Sequence, residues 1–261
     1  GIHYKKHGTS AVYANIRVKR ILKWYERLLL WFGVNISTTT YDIVYSSRKV
    51  IKNQYINKEQ GLGYYGEDIW GVVAQEIKDL IPKNWTLYGE ILGYLPSGGF
   101  IQKGYDYGCK TEVSHTSNTD VVNYKAYKHS HKFYVYKISV VNPDGKVIYL
   151  TDKQIEEYCE KVGLLYKDTF IYYGRAKDWN NTIYVNTSTD DTWRAKFLEQ
   201  LEKQYTEKDC YICKNKVPEE GIIVRIEHLN SYNAYKLKSK RFLLMESDEQ
   251  EKDEINIESS Q

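Results

Sequence analysis

The sequence predicts an α+β fold in which strands dominate and the helices stand apart from them. Segments of alternating or β-branched residues recur along the chain, whereas helical periodicity is confined to four stretches. The two do not alternate in the regular way that builds a doubly wound parallel sheet. At 261 residues and 42% hydrophobic content, the chain can bury a sizeable core.

Strands are expected at Ala11–Val18, Tyr41–Ile51, Trp85–Leu92 and Lys132–Val141, then at Lys146–Leu150, Thr182–Asn186, Gly221–Glu227 and Ala234–Met245. The first helix, over 19–32, ends at Gly33, a good C-terminal stop. The second, over 67–81, lines up Ile69, Val72, Val73, Ile77 and Leu80 and stops before Pro82. The third, over 152–162, opens on the capping pair Thr151 and Gln154 and buries Ile155, Tyr158, Cys159 and Val162. The fourth, over 191–205, aligns Trp193, Phe197, Leu198, Leu201 and Tyr205. Residues 111–131, rich in Ser, Thr, Asn, Lys and His, read as a long polar loop, and there is no internal repeat.

The net charge of +3 conceals an asymmetry. Residues 246–261 carry −6 and the rest of the chain +9. Such a body can hold a polyanion, or its excess can be ordinary surface lysine. The 26 tyrosines invite a base-stacking reading, but tyrosine also suits a half-buried pleated surface, which explains most of them. No apolar run is long enough to cross a bilayer, so no membrane partner is expected. Four cysteines in a chain of this length do not make a disulfide framework, and a reducing, cytoplasmic setting is the default. No signal peptide is visible, and an opening on Gly1 instead of Met leaves room for a segment ahead of it.

One pattern is set aside. Gly61, Gly63 and Gly66 spell G-x-G-x-x-G ahead of the second helix, but the residues before them, Asn57-Lys58-Glu59-Gln60, are polar. A dinucleotide site needs a buried strand there.

Three other patterns carry chemistry. Near the start stands Lys5-Lys6-His7-Gly8-Thr9-Ser10, followed by a strand. A lysine attacks phosphorus only as a neutral amine, and Gly8 lets backbone come close to phosphates. Downstream, Glu220-Gly221-Ile222-Ile223-Val224-Arg225 puts a carboxylate at the head of an apolar strand, where it can bind magnesium. Then Tyr235-Lys236-Leu237-Lys238 places Lys236 and Lys238 on one face of a strand, useful against a triphosphate and equally compatible with a solvated face.

Taken in this order, the three resemble the lysine motif, the fourth motif and the fifth motif of the covalent nucleotidyltransferase superfamily, the polynucleotide ligases and mRNA capping enzymes. Tyr88-Gly89-Glu90-Ile91 resembles the third motif, Phe133-Tyr134-Val135-Tyr136 the aromatic strand, and Ser46-Ser47-Arg48 the arginine element. The form K-x-H-G-T-S is most like the ATP-dependent RNA ligases; DNA ligases and capping enzymes usually carry aspartate where His7 stands. The resemblance spans residues 4 to about 244.

It implies an ATP-grasp-like nucleotidyltransferase domain over 1–245, with antiparallel sheets flanking a nucleotide cleft and 246–261 as a mobile acidic tail. It further implies that Lys5 forms a lysyl–AMP bond with ATP and that Arg48 contacts the nucleotide or the nick. Glu90 would bind ribose and Tyr136 (or Phe133) would stack on adenine. Glu220 would bind Mg2+ (or Mn2+), and Lys236 and Lys238 would hold the α-phosphate and the pyrophosphate. A histidine is by default a core or supporting residue; its motif position gives His7, with Gly8, a place at the nucleotide. The substrate implied is RNA with a 5′-phosphate and a 3′-hydroxyl, sealed by a monomer in RNA repair or end joining. A DNA ligase, or a non-catalytic RNA-binding module of the same fold, are the alternatives; retention of the attacking lysine speaks against the second.

The chain departs from the family pattern at Tyr4, where many RNA ligases have glutamate. It departs again at Tyr136-Lys137, where many have Phe-Asp, and in the length of loop 111–131. Cys210-x-x-Cys213 has half the spacing of a structural zinc site, with Cys109, His115, His129, His131 and His228 as conceivable partners. The expectation is two reduced cysteines in a tight turn, with zinc dispensable and Cys159 in the core.

Overall fold

A computed structural model of the protein describes residues 1–48, 50–53, 64–115, 124–166, 171–175, 178–179 and 192–248. In chain order the elements are β1 (Ile2–Tyr4), β2 (Thr9–Lys19), α1 (Trp24–Trp31), β3 (Thr39–Ser46), β4 (Ile51–Lys52) and α2 (Ile69–Ile77). Next come β5 (Trp85–Gly93), β6 (Lys110–His115), β7 (Tyr124–His129), β8 (His131–Val141), β9 (Val147–Tyr149) and α3 (Asp152–Val162). The chain continues with β10 (Leu165–Tyr166), α4 (Thr192–Leu201), β11 (Gly221–Glu227) and β12 (Tyr232–Lys238). A last helix, α5, covers 240–248. The fold is mixed, with mainly antiparallel sheets, and is compatible with α+β.

The chain divides into two compact units, one of residues 1–7, 102–108 and 167–261, the other of 8–101 and 109–166. In the larger unit a seven-stranded sheet runs β10-β8-β5-β2-β3-β4, with β9 also paired to β8. All its pairs are antiparallel except β8 with β10. Its core forms because α2 and the sheet each have one apolar face. Ile69, Val73 and Ile77 of α2 are buried with Ala11 and Tyr13 of β2, Leu87 and Ile91 of β5, and Phe133, Val135 and Ile138 of β8. Each of the larger side chains stabilises the unit by about 1.5–3 kcal/mol. Asp68 starts α2 by accepting the Gly71 N–H. The expected stripe is shifted: Val72 is 38% exposed, whereas Trp70 and Ala74 are buried. Helix α3 agrees closely, with the reciprocal Thr151–Gln154 cap, Ile155 and Cys159 buried, and Gly163 in the left-handed conformation at its end.

The smaller unit is built on the sheet β1-β11-β12. Ile2 and Ile222 are buried on one face of it with Trp179 and Leu201. Tyr105, Cys210, Val217 and Phe242 form a second cluster.

Several expectations need correction. The strand read over Ala234–Met245 stops at Lys238. Ser239 accepts the Phe242 N–H at 3.2 Å through its hydroxyl and the Leu243 N–H at 3.0 Å through its carbonyl, starting α5. Phe242 and Met245, three apart, then pack into the Tyr105 cluster. Loop 111–131 contains the antiparallel pair β6–β7, in register from Lys110↔His129 to His115↔Tyr124. Residues 19–23 precede the helix instead of joining it, and α1 buries no residue; Trp24 and Trp31 are each 77% exposed. Helix α5 runs on through 246–248, the first residues of the acidic segment. The strand expected at Thr182–Asn186, with Gly61 and Gly63, lies outside the described residues.

Candidate active site

In the smaller unit the backbone brings the first and fourth sequence motifs together. β1 pairs antiparallel with β11, Tyr4 opposite Ile222, and the Lys5 N–H donates to the Gly221 carbonyl at 2.8 Å. Gly221 has φ +141°, and a Cβ there would meet the Leu237 carbonyl oxygen and come 2.9 Å from Cα of Lys238. Glycine is therefore required for β11 to pass this close to β12 directly after Glu220.

The side chains follow from that register. Lys5 Nζ lies 2.5 Å from Oε1 of Glu220, with the two side chains 16% and 5% exposed. His7 Nδ1 lies 3.4 Å from Oε2. Burial by itself would push the Glu220 carboxyl up, but contact with His7 and the charge and hydrogen bond of Lys5 outweigh it and hold the carboxyl below its ordinary value. Oε2 is buried and makes no hydrogen bond of normal geometry among the described residues.

His7 is fixed from several sides. Its ring meets Tyr105 edge-on at 4.7 Å between centroids and Phe242 at 4.9 Å. The Tyr107 hydroxyl accepts the His7 N–H at 3.1 Å and donates to the His7 carbonyl at 2.7 Å. Lys238 pairs with Gly221 across β11–β12, and its Nζ lies 5.2 Å from the Phe242 ring centre and 3.0 Å from Oε2 of Glu246. Lys236, opposite Ile223, is exposed.

Lys6 departs from its neighbour. It is 5% exposed, donates to the Tyr211 hydroxyl at 2.9 Å, and sits 4.6 Å from that ring's centre. Burial pushes its ammonium down to about 8, while Glu219, Cys210 and Cys213 act the other way. Tyr4 meets the rings of Tyr211 at 5.1 Å and Tyr205 at 6.4 Å.

The remaining candidates belong to the larger unit. Gly8 follows His7; a Cβ there would run into the Leu92 side chain and come 2.7 Å from the Ile91 carbonyl oxygen, so its smallness serves strand packing as well. Glu90 pairs with Ser10 of β2 and Tyr134 of β8, whereas its neighbours Gly89 and Ile91 pair with Ala11 and Thr9 on β2. Of the two aromatic candidates, Phe133 is 7% exposed and meets Tyr13 edge-on at 5.0 Å in the core. Phe133 is part of the core cluster of the larger unit. Tyr136 is half-buried at a register shift: Tyr88 pairs with Lys137 and Gly89 with Val135, so Tyr136 is the extra residue of a bulge. Arg48 is exposed after β3 and lines a cavity of about 270 Å³ with Thr9, Tyr45, Lys52, Tyr65 and Trp70. Among the described residues, no three or more His, Cys, Asp or Glu side chains cluster as a metal site.

Sequence reasoning missed Tyr105, Tyr107, Phe242 and the Lys6–Tyr211 pair. Only the tyrosine spacing of Tyr105-Asp106-Tyr107 gave a signal, and nothing in the sequence links it to His7.

No curated protein matches the chain. The family model described as RNA ligase matches residues 6–239. That span takes in His7, Arg48, Glu90, Glu220, Lys236 and Lys238, and begins directly after Lys5. It covers most of the protein, and the chain belongs to the RNA ligase family.

Proposed function

We propose that the protein is an ATP-dependent RNA ligase that works through a covalent lysyl–AMP intermediate on Lys5, within an ATP-grasp-like nucleotidyltransferase fold. The observation that carries this reading is the Lys5–Glu220 pair, held by the Lys5 N–H on the Gly221 carbonyl. Exposure supports the choice between two adjacent lysines: Lys5 is partly open, while Lys6 is buried against Tyr211.

In the first step the neutral Lys5 amine attacks the α-phosphorus of ATP. The N–P bond forms, the bond to the bridging oxygen breaks, and pyrophosphate leaves with its electron pair while Nζ gives up a proton. Glu220 holds Nζ and the Gly221 carbonyl holds the Lys5 backbone N–H, which together would turn an encounter into a near-attack geometry. Lys238 and Lys236 offer positive charge to the phosphates. In the second step the 5′-phosphate of RNA displaces Lys5 from AMP. In the third, a 3′-hydroxyl attacks that activated phosphate and expels AMP. Glu90 and Tyr136 are assigned to the nucleoside and Arg48 to nucleotide or nick.

The chemistry of Glu220 fits a divalent cation. Its Oε2 is a buried carboxylate oxygen without a hydrogen bond of normal geometry among the described residues, and magnesium is commonly held by one or two carboxylates plus substrate phosphates and water. Bound there, magnesium or manganese would supply positive charge against the phosphates. Incubation with ATP labelled at the α-phosphate, followed by denaturation, tests the reading: label stays on the protein if the reading holds and washes away if it does not. Sealing assays on matched nicked RNA, nicked DNA and single-stranded RNA then define the end joined.

A further inference from the structure

We propose that Cys210 and Cys213 are a modification site, a dithiol that closes into a reversible disulfide by exchange with a low-molecular-weight disulfide and thereby slows adenylylation of Lys5. The first half stands on the geometry of the cysteine turn, and the second rests on the function proposed for Lys5.

The turn is prepared for closure. The Asp209–Pro218 bridge shuts a short loop, with the Cys210 N–H donating to the Val217 carbonyl at 2.8 Å. The Lys214 N–H donates to the Asp106 carbonyl at 2.8 Å, pinning the loop from its other side. Within it Cys213 packs against the buried cluster that contains Cys210. Both cysteines are free of any disulfide; Cys210 is buried and Cys213 partly open. The Cys213 hydrogen bond, the backbone amides and the Lys6 charge together hold Cys210 below the ordinary thiol range, despite its burial. Cys159, by contrast, is buried in apolar surroundings that push its thiol up to about 12. Cys210 is thus held low, while Cys213, like Cys159, is pushed up.

The exchange is balanced as follows. The thiolate of the pair attacks one sulfur of R–S–S–R, forming a mixed disulfide and releasing RS⁻. The second cysteine then gives its proton to the released thiolate and displaces the other RS⁻, closing Cys210–Cys213. Two protein thiols are oxidised and one small disulfide is reduced to two thiols. Closure acts next to the lysine motif because Tyr211 lies between the two cysteines. Its hydroxyl holds Lys6 and its ring packs on Tyr4, the two residues flanking Lys5.

The test incubates the whole reduced protein in graded mixtures of reduced and oxidised glutathione, quenches with acid and maps thiols by peptide mass. The expected result is a Cys210–Cys213 linked peptide with Cys109 and Cys159 still free. Labelling from α-labelled ATP should fall several-fold in step with closure and return with dithiothreitol. Cys213→Ser should keep the reduced protein's labelling and lose its redox response, leaving at most a glutathione adduct on Cys210. A pair that stays reduced, holds only glutathione, or is masked by stoichiometric zinc would overturn the modification site. A disulfide that forms without changing the labelling rate would overturn its control of Lys5. Reduced protein that never labels would instead overturn the proposed function, leaving the peptide map to judge the disulfide.

Discussion

Lys5 Nζ and Oε1 of Glu220 are 2.5 Å apart, so residues at opposite ends of the described chain form one ion pair. The pair exists because β1 and β11 are neighbours, and the Lys5 N–H donates to the carbonyl of the residue after Glu220. A carboxylate this buried needs its cation, because breaking such a pair strands a charge away from water.

The pair sets a pH dependence of stability. The Glu220 carboxyl lies below its ordinary value of 4.5. A depressed value adds stability that is fully present above about 4.5 and is lost as pH falls through the folded value. Lys5→Ala removes part of that depression. It should therefore cost about 1–3 kcal/mol at neutral pH, with the gap closing under acid. Urea unfolding of both proteins at neutral pH and near pH 4 measures this. A gap independent of pH would assign the cost to something other than the ion pair.

Glu220→Gln keeps the side-chain shape and removes the charge. If Glu220 holds the metal, the rate of lysyl–AMP formation should fall at least about a hundredfold, since metal charge stabilisation is worth several kcal/mol. Single-turnover labelling across a magnesium titration checks it. A wild-type rate and an unchanged magnesium dependence would remove Glu220 from the metal site.

Glu246 holds Lys238 at 3.0 Å, with both side chains more than a third exposed. Such pairs are worth about 0.2–1 kcal/mol and weaken with salt. Glu246→Gln should therefore tighten ATP binding at most about fivefold, at low ionic strength only. Removing residues after 248 should leave labelling unchanged. Loss of labelling in a folded protein ending at 248 would give the acidic segment a part in catalysis.

Much of this was legible in the sequence where one element explains itself. The Thr151–Gln154 cap, the Ile155 and Cys159 face and the bounds of β11 need no distant partner. The break at Ser239 was not legible, because Ala234–Met245 alternates well enough for a strand. What decides it is a hydroxyl cap and the packing of Phe242 beside His7, a partner far away in sequence. The hairpin β6–β7 was hidden for a similar reason, since its residues are polar and composition reads them as loop. For the site, Lys5, His7 and Glu220 were legible through motif spacing. Tyr105, Tyr107 and Tyr211 were not, because tyrosines are so frequent here that no single one stands out. That Phe133 faces the core was not legible, since an aromatic strand residue can face either side.

The nucleotide is expected to be ATP, an expectation that rests on the RNA-ligase form of the lysine motif. Parallel labelling from ATP and GTP, each labelled at the α-phosphate, should give a strong preference for ATP. Equal labelling from both would move the protein toward capping chemistry.

The most direct measurement compares adjacent lysines. The wild-type protein, Lys5→Ala and Lys6→Met are incubated with α-labelled ATP and magnesium, denatured, and the label located by peptide mass. Lys6→Met conserves the volume of a buried side chain and should keep the overall fold, which circular dichroism checks. Label is expected on Lys5 in the wild type, none in Lys5→Ala, and labelling within several-fold of wild type in Lys6→Met. Label on Lys6, retained in Lys5→Ala and lost in Lys6→Met, would contradict that expectation.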